Sequence, residues 1–221
     1  MLHAPKQTRS KKTLERILAS ARALMSTAGV DAVGITQIVA QANSSVGSFY
    51  ARFDGKEDLV RHLHGRLWEE AHARWEAGLV QWDPSSSARD RLGLLVKLIQ
   101  DALAPDQHLR GSVTQVLAED GRAAQESFDR RVIQDGLNRL AQDDGIRHPT
   151  PATCIPLGIR IVLSMIRDHP EVIRPGPEAN SMPGLTDELA AALRGYWGVG
   201  RVVQVEGAVP DEVMEYFDIW S

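Results

Sequence analysis

The chain has one cysteine, Cys154, in 221 residues, which excludes an internal disulfide and fits a reducing compartment. Cys154 lies in an apolar stretch and reads as inert packing. Aromatic residues are also few, at four Phe, three Tyr and five Trp, and with Ala and Leu abundant an all-helical protein is favoured. Long apolar runs are missing. The longest, near residues 154–166, is interrupted by Arg160 and is too short to span a bilayer. The opening residues MLHAPKQTRSKK have no apolar region of the kind a secretory signal needs. A soluble, cytoplasmic chain with no membrane partner is expected. Clustered metal ligands are missing as well: Glu69-Glu70-Ala71-His72 holds a single Glu-x-x-His, where a carboxylate-bridged di-iron bundle needs two copies plus two further glutamates. His62 and His64 are two apart and fall on different sides of a helix. Asp143-Asp144 has no second acidic motif and reads as a solvated helix terminus. No metal, no cofactor and no catalytic set is expected, so the chain reads as a non-enzyme.

Charge is unevenly distributed. Residues 1–66 hold ten Lys or Arg against five Asp or Glu, while the whole chain has 25 against 29 and a net charge of −4. A basic front and an acidic remainder suit a head that meets a polyanion and a body that does not. At 43% apolar residues the chain is long enough to bury a substantial core in one or two domains.

Residues 34–56, GITQIVAQANSSVGSFYARFDGK, read as two short helices hinged by a tight turn. Ile35, Ile38 and Ala42 recur at helical spacing, with Gly34 as N-cap and Gln37 three residues on. Asn43-Ser44-Ser45 stops the first helix, since Asn tolerates the left-handed conformation and a serine can cap the next helix. In the second helix Phe49 and Phe53 share an inward face. Val46, Ser48, Tyr50 and Arg52 then point outward, a small, hydroxylated and basic set suited to base edges and phosphates. Gly47 costs about 1 kcal/mol relative to Ala in a helix interior, which suggests close approach from outside the chain.

These residues resemble the DNA-binding domain of the TetR family of bacterial transcriptional repressors. The resemblance is carried by Ile35, Ile38, Ala42, Ser45, Gly47, the Phe49-Tyr50 pair, Phe53, and Lys56 opening a helix through Leu59. It covers about Thr13 to about Leu63. The chain departs from the family pattern at Gly34, where a capping Thr is usual, at Asn43-Ser44, where Gly-Val is usual, and at Val39, where Ala is usual.

Around this unit, residues 1–12 read as a polar arm carrying Lys6, Arg9, Lys11 and Lys12. Thr13–Ala28 reads as a first helix with the apolar stripe Leu14, Ile17, Leu18, Ala21, Leu24 and Met25, ended by Gly29. Arg16 and Arg22 lie off that stripe and read as solvated. Lys56-Glu57-Asp58 opens a long helix to about Trp82. The acidic pair suits its N-terminal dipole, whereas Lys56 does so only if an anion such as DNA phosphate binds there. WDPSSSARD, 82–90, is the main internal break. Helices follow over about 92–103, 106–118, 122–142 and 150–168, the last apolar nearly all round and so in need of cover on more than one side. Thr186 is expected to cap a further helix, and Asp211 to begin a terminal one after the alternating RVVQV.

The expected fold class is all-α, a three-helix helix-turn-helix DNA-binding domain followed by a larger helical ligand-binding and dimerisation domain. Residues 1–55 form the arm and helix-turn-helix, 56–82 a connecting helix, and 83–221 the effector-binding and dimerisation domain. The resemblance implies a homodimeric regulator, a repressor released from a palindromic double-stranded operator by a small-molecule effector. Thr36, Ser45, Val46, Gly47, Ser48, Tyr50, Arg52 and Lys56 are the expected DNA-binding residues. Trp68, Trp75 and Met165 are candidates for the effector pocket. Ile159, Val162, Leu163 and Ile166, with Leu189, Leu193, Tyr196 and Trp197, are candidates for the dimer interface. Two rival readings are an adaptor with the same head regulated by a protein partner, and a helical metal-dependent enzyme.

Overall fold

In the computed structural model, which describes residues 4–168 and 184–200, the apolar stripe of the first segment lies on α1 (Ala4–Ala28). The helix starts nine residues earlier than Thr13, so residues 4–12 of the expected polar arm are helical. Nothing in that stretch opposes a helix: Pro5 falls in the first turn, where proline is tolerated, and Lys and Gln are good helix formers. α1 ends at Gly29, whose φ of 86° lies in the left-handed region that favours glycine. α2 (Ile35–Gln41) and α3 (Val46–Tyr50) follow, then α4 (Lys56–Gly78), which closes in a 3-10 turn over Leu79–Gln81. α5 (Ala88–Leu103), α6 (Gln107–Leu140), α7 (Pro151–Asp168) and α8 (Leu185–Trp197) complete the described residues, which contain no strand.

Two apolar cores meet along α4. Leu59, Val60, Leu63 and Leu67 pack with α1, α2 and α3, whereas Trp68, Ala71 and Trp75 pack with the later helices. α6 is divided in the same way. Its first arm sends Leu109, Val113 and Leu117 into the head's core, and its second arm sends Phe128, Val132 and Leu140 into the body's. Between the arms Ala118 stands at φ 48°, ψ −111°, outside helical geometry, so the two helices expected there are present as arms that meet at this break. The elbow brings the Thr114 carbonyl oxygen within 2.5 Å of where a Cβ on residue 121 would lie. Only glycine fits that close approach.

Arg22, expected to be solvated, is instead a clamp between head and body. Its Nη1 and Nη2 donate to Glu70 of α4 at 3.1 and 2.9 Å, and its Nε donates to Asp106 before α6 at 2.9 Å, with a further Nη2 bond to Asp106. Hydrogen bonding to Arg22 holds the Asp106 carboxyl below its ordinary pKa despite partial burial. A carboxylate depressed in the folded state stabilises above its unfolded pKa and loses that contribution as pH falls through the folded value. Arg22→Ala should therefore lower stability by about 1–2 kcal/mol near neutral pH, a figure reduced for the partial exposure of the cluster. The difference between variant and wild type should shrink on acidification, as urea melts across pH would show. An equal difference at all pH values would count against the clamp.

In the body, Ser87 caps α5 by accepting from the Asp90 backbone N–H at 3.1 Å. Asp143 is not a solvated terminus. It is buried against Arg91, which donates to its Oδ2 from Nε at 2.9 Å and from Nη2 at 2.5 Å, and so pins the start of α5 to the end of α6. α7 begins at Pro151, contains Pro156 within its span and is covered by α5, α6 and α8. Gly184, rather than Thr186, sits at the N-cap of α8, and the Thr186 hydroxyl donates to Gln100 Oε1. The RVVQV run and the helix expected from Asp211 lie outside the described residues.

Candidate nucleic-acid interface

The two-helix unit is closed by backbone chemistry. The Gly34 N–H donates to Gln37 Oε1 at 2.7 Å, which is the half of a capping box that a glycine can form. At the other end of α2 the Ser44 N–H reaches the Val39 carbonyl at 2.9 Å and the Asn43 N–H the Ala40 carbonyl at 3.1 Å. Asn43 has φ 46°, so this is a Schellman turn with Asn in the position glycine usually takes. Ser45 then caps α3, its Oγ accepting from the Ser48 N–H at 3.1 Å and lying 3.0 Å from Ser48 Oγ.

α3 is only five residues long and could not persist alone. It is held by Phe49 and Phe53, fully buried with ring centroids 5.2 Å apart. With those two rings inward, Val46 and Tyr50 face solvent at 43% and 56% exposure. Ser45 and Gly47 are exposed and Ser48 half-buried. A Cβ on residue 47 would meet nothing nearer than Ser45 Oγ at 3.9 Å. Packing inside the chain therefore does not demand glycine there. Thr36, near the start of α2, is exposed as well.

Arg52 and Lys56 make bonds within the chain that spacing did not reveal. Arg52 Nη1 donates to the Ser48 carbonyl at 2.6 Å and Nη2 to Ser10 Oγ at 3.1 Å. The guanidinium thus closes the end of α3 and ties it to Ser10 of α1, the residue before exposed Lys11 and Lys12. Lys56 Nζ donates to the Asp31 carbonyl at 3.1 Å, which anchors the start of α4 to the loop before α2. Chemically, the surface offers a methyl-bearing side chain, hydroxyls, a bare backbone and cations in one strip, with its outward face left uncovered by the body. That set can contact base edges and phosphates.

The other expected site residues separate. Trp68 lines a cavity of about 440 Å³ at the α6 elbow, with Gln107, Arg110, Thr114, Arg122 and Arg167. Trp75 lies elsewhere in the body core, its Nε1 donating to Asp135 at 2.9 Å, and half-buried Met165 packs against the same core. Ile159, Val162, Leu163, Ile166, Leu189, Leu193 and Trp197 are buried within their own chain, and Tyr196 alone of that group is exposed, at 39%. Sequence reading passed over Arg110, which is buried at 3% exposure. A signal was present: Arg110 stands in helical phase with Val113 and Leu117, an inward position for a cation. Among the described residues no three His, Cys, Asp or Glu are grouped to hold a metal ion, and no helix is long and apolar enough to cross a membrane.

Residues 17–63 match the family model described as bacterial regulatory proteins, tetR family. No curated protein matches the chain. Solved structures share its fold. A tetR-family regulatory protein from Rhodococcus RHA1 superposes with a TM-score of 0.58 at 20% identity, covering 86% of this chain and 98% of that one. A putative transcriptional regulator from Saccharomonospora viridis, in complex with choline, gives 0.60 at 18% identity over 86% and 100%. GusR from Salmonella enterica gives 0.59 at 19% identity over 84% and 95%. The match falls on the segment that presents the uncovered α3 strip, so residues 17–63 belong to the N-terminal domain of the bacterial regulatory proteins of the tetR family, and the chain as a whole shares the fold of solved structures described as tetR-family regulators.

Proposed function

We propose that the protein works in the cytoplasm as a homodimeric repressor that holds a palindromic operator and leaves it when a small molecule enters the body. The observation that carries the reading is the uncovered outer face of α3, held rigid from behind by Phe49 and Phe53. Twofold copies of α3 would enter successive major grooves about 34–36 Å apart. Val46 suits a thymine methyl and Ser48 a base edge, with Gly47 allowing close approach. Thr36, Ser45, Tyr50, Arg52 and Lys56 would hold the backbone.

A dimer formed by α7 and α8 would use their exposed apolar side chains rather than the buried ones. Leu157 and Ile161, one helical turn apart on α7, are 46% and 48% exposed, and Tyr196 on α8 joins them as an exposed apolar group. Ile161→Glu should shift the protein to monomer in sedimentation while its helical circular dichroism holds. A dimer of unchanged affinity would place the interface elsewhere. The choline complex of the Saccharomonospora viridis regulator and the imidazole complex of the multidrug binding protein EbrR show that proteins of this fold hold small molecules, which supports the effector part of this reading.

The test is a gel shift on the DNA flanking the protein's own coding region, with excess nonspecific competitor, for wild type and Lys56→Ala. Wild type should retain the fragment. The variant should bind all duplexes more weakly, with a salt slope shallower by about 0.9 for each phosphate that a subunit no longer neutralises. Equal affinity and slope would remove Lys56 from the interface.

A further inference from the structure

The cavity at the α6 elbow has a charge balance that its position in the fold does not require. Arg110 is buried at 3% exposure, yet its guanidinium donates to two backbone carbonyls, those of Leu103 and Pro105. No carboxylate stands within ion-pair distance of Arg110 among the described residues. Asp106 and Glu70, the nearest acids acting on it, are engaged by Arg22. Burial, with Arg74 nearby, pushes the Arg110 pKa down to about 10, so it stays cationic at neutral pH and is poorly compensated. Arg122 lines the same cavity from beyond the elbow and is exposed. Arg167, also in the wall, is paired with Asp129 at 2.8 Å. A buried cation without a carboxylate partner is costly unless an anion joins it.

Apolar and neutral polar groups complete the wall. Trp68 lies under Arg110, whose guanidinium carbon is 5.3 Å from its ring centroid, and Leu103 and Ala118 add apolar surface beside Gln107, Thr114 and Gln125. At about 440 Å³ the space is of the size that takes a small organic ligand. From these observations we propose that the elbow cavity binds a small organic carboxylate, its anionic end held between Arg110 and Arg122 and its apolar end against Trp68 and Leu103.

This assignment rests on the effector reading above for its regulatory half. Arg110 stands on the first arm of α6 and Arg122 on the second, with the non-helical Ala118 between them. A ligand that holds both arginines fixes the angle between the arms. The first arm is built into the head's core through Leu109, Val113 and Leu117, so the elbow angle sets where the head lies. A second link runs along α4 and α6: Trp68 Nε1 donates to His64 Nε2 at 2.9 Å, and the same nitrogen lies 3.2 Å from Thr114 Oγ1. His64 is buried and its pKa is held down by desolvation first and by Arg110 second. It is therefore neutral, with Nε2 as the acceptor.

Calorimetric titration of the full chain with benzoate, phenylacetate, hexanoate and decanoate, each against its amide, and with inorganic phosphate, tests the ligand class. At least one acid should bind at least about tenfold tighter than its amide and than phosphate. Arg122→Glu, at an exposed position, should weaken that acid at least tenfold with the melting temperature unchanged. Arg110→Met should do the same, and because Arg110 also braces two carbonyls the Arg122 variant decides if Arg110→Met fails to fold. The class is overturned if no acid binds, if amides bind as well as acids, if phosphate alone binds as tightly, or if Arg122→Glu changes nothing. The acid that binds is then added to the gel shift and should change DNA affinity by about 5- to 150-fold. An unchanged shift overturns the elbow coupling, whereas failure of the unliganded protein to bind DNA overturns the repressor reading and leaves the carboxylate result standing.

Discussion

Phe49→Ala should lower the stability of the N-terminal core by about 3–5 kcal/mol, the range for deleting a fully buried aromatic ring. The effect should be near the upper end because the site has few ways to collapse. α3 has only five residues, of which Phe49 alone is buried, and it packs on Phe53 just beyond the helix, whose ring centroid lies 5.2 Å away. Removing the ring takes away the support of the helix as well as its own buried area. In urea the variant should show an early transition for the head ahead of the body, and DNA binding should disappear with it. A variant that melts like wild type would mean that α3 is held by something other than this ring.

The complementary experiment leaves the support alone and changes the outer face. Val46→Glu and Tyr50→Glu replace side chains that are 43% and 56% exposed, so each should change stability by no more than about 0.5 kcal/mol. Facing a duplex, each added carboxylate would meet phosphate or base-edge acceptors, and like-charge juxtaposition in an interface costs several kcal/mol. DNA affinity of either variant should fall by about two orders of magnitude or more while circular dichroism and melting temperature hold. Together with Phe49→Ala this separates the two faces of one short helix. The inner face should govern folding, and the outer face should govern binding alone. If both glutamate variants bound DNA as wild type does, α3 would not be the reading element.

The helix-turn-helix is legible in the sequence because its determinants are local. Asn43 at a left-handed position, Ser45 three residues before an N–H it can cap, and two Phe four apart each fix geometry within one turn of chain. The extent of α1 is not, because Lys11 and Lys12 are compatible both with a polar arm and with an exposed helical turn, and composition does not choose between them. Arg22 reads as solvated from its phase on α1, yet its partners Glu70 and Asp106 lie 48 and 84 residues away. Helical phase says which way a side chain points, not what arrives there. The same limit applies to α7, whose nearly continuous apolar surface leaves open which side the chain's own helices cover. α5, α6 and α8 take Ile159, Val162, Leu163 and Ile166, and leave Leu157 and Ile161 outside. The cavity is half legible: Trp68 stands out in the sequence, but the phase that turns Arg110 inward with Val113 and Leu117 does not say which ring it meets.

Selection of bound sequences from a random duplex pool by the full-length protein tests the DNA-reading claim most directly. The enriched sequences should form an inverted repeat with half-sites about one helical turn apart, and repeating the selection with Val46→Ala should relax preference at one base pair in each half-site, as withdrawal of a methyl group from a thymine would. A pool that stays random, or an enriched motif that lacks twofold symmetry and is the same for both proteins, would contradict it.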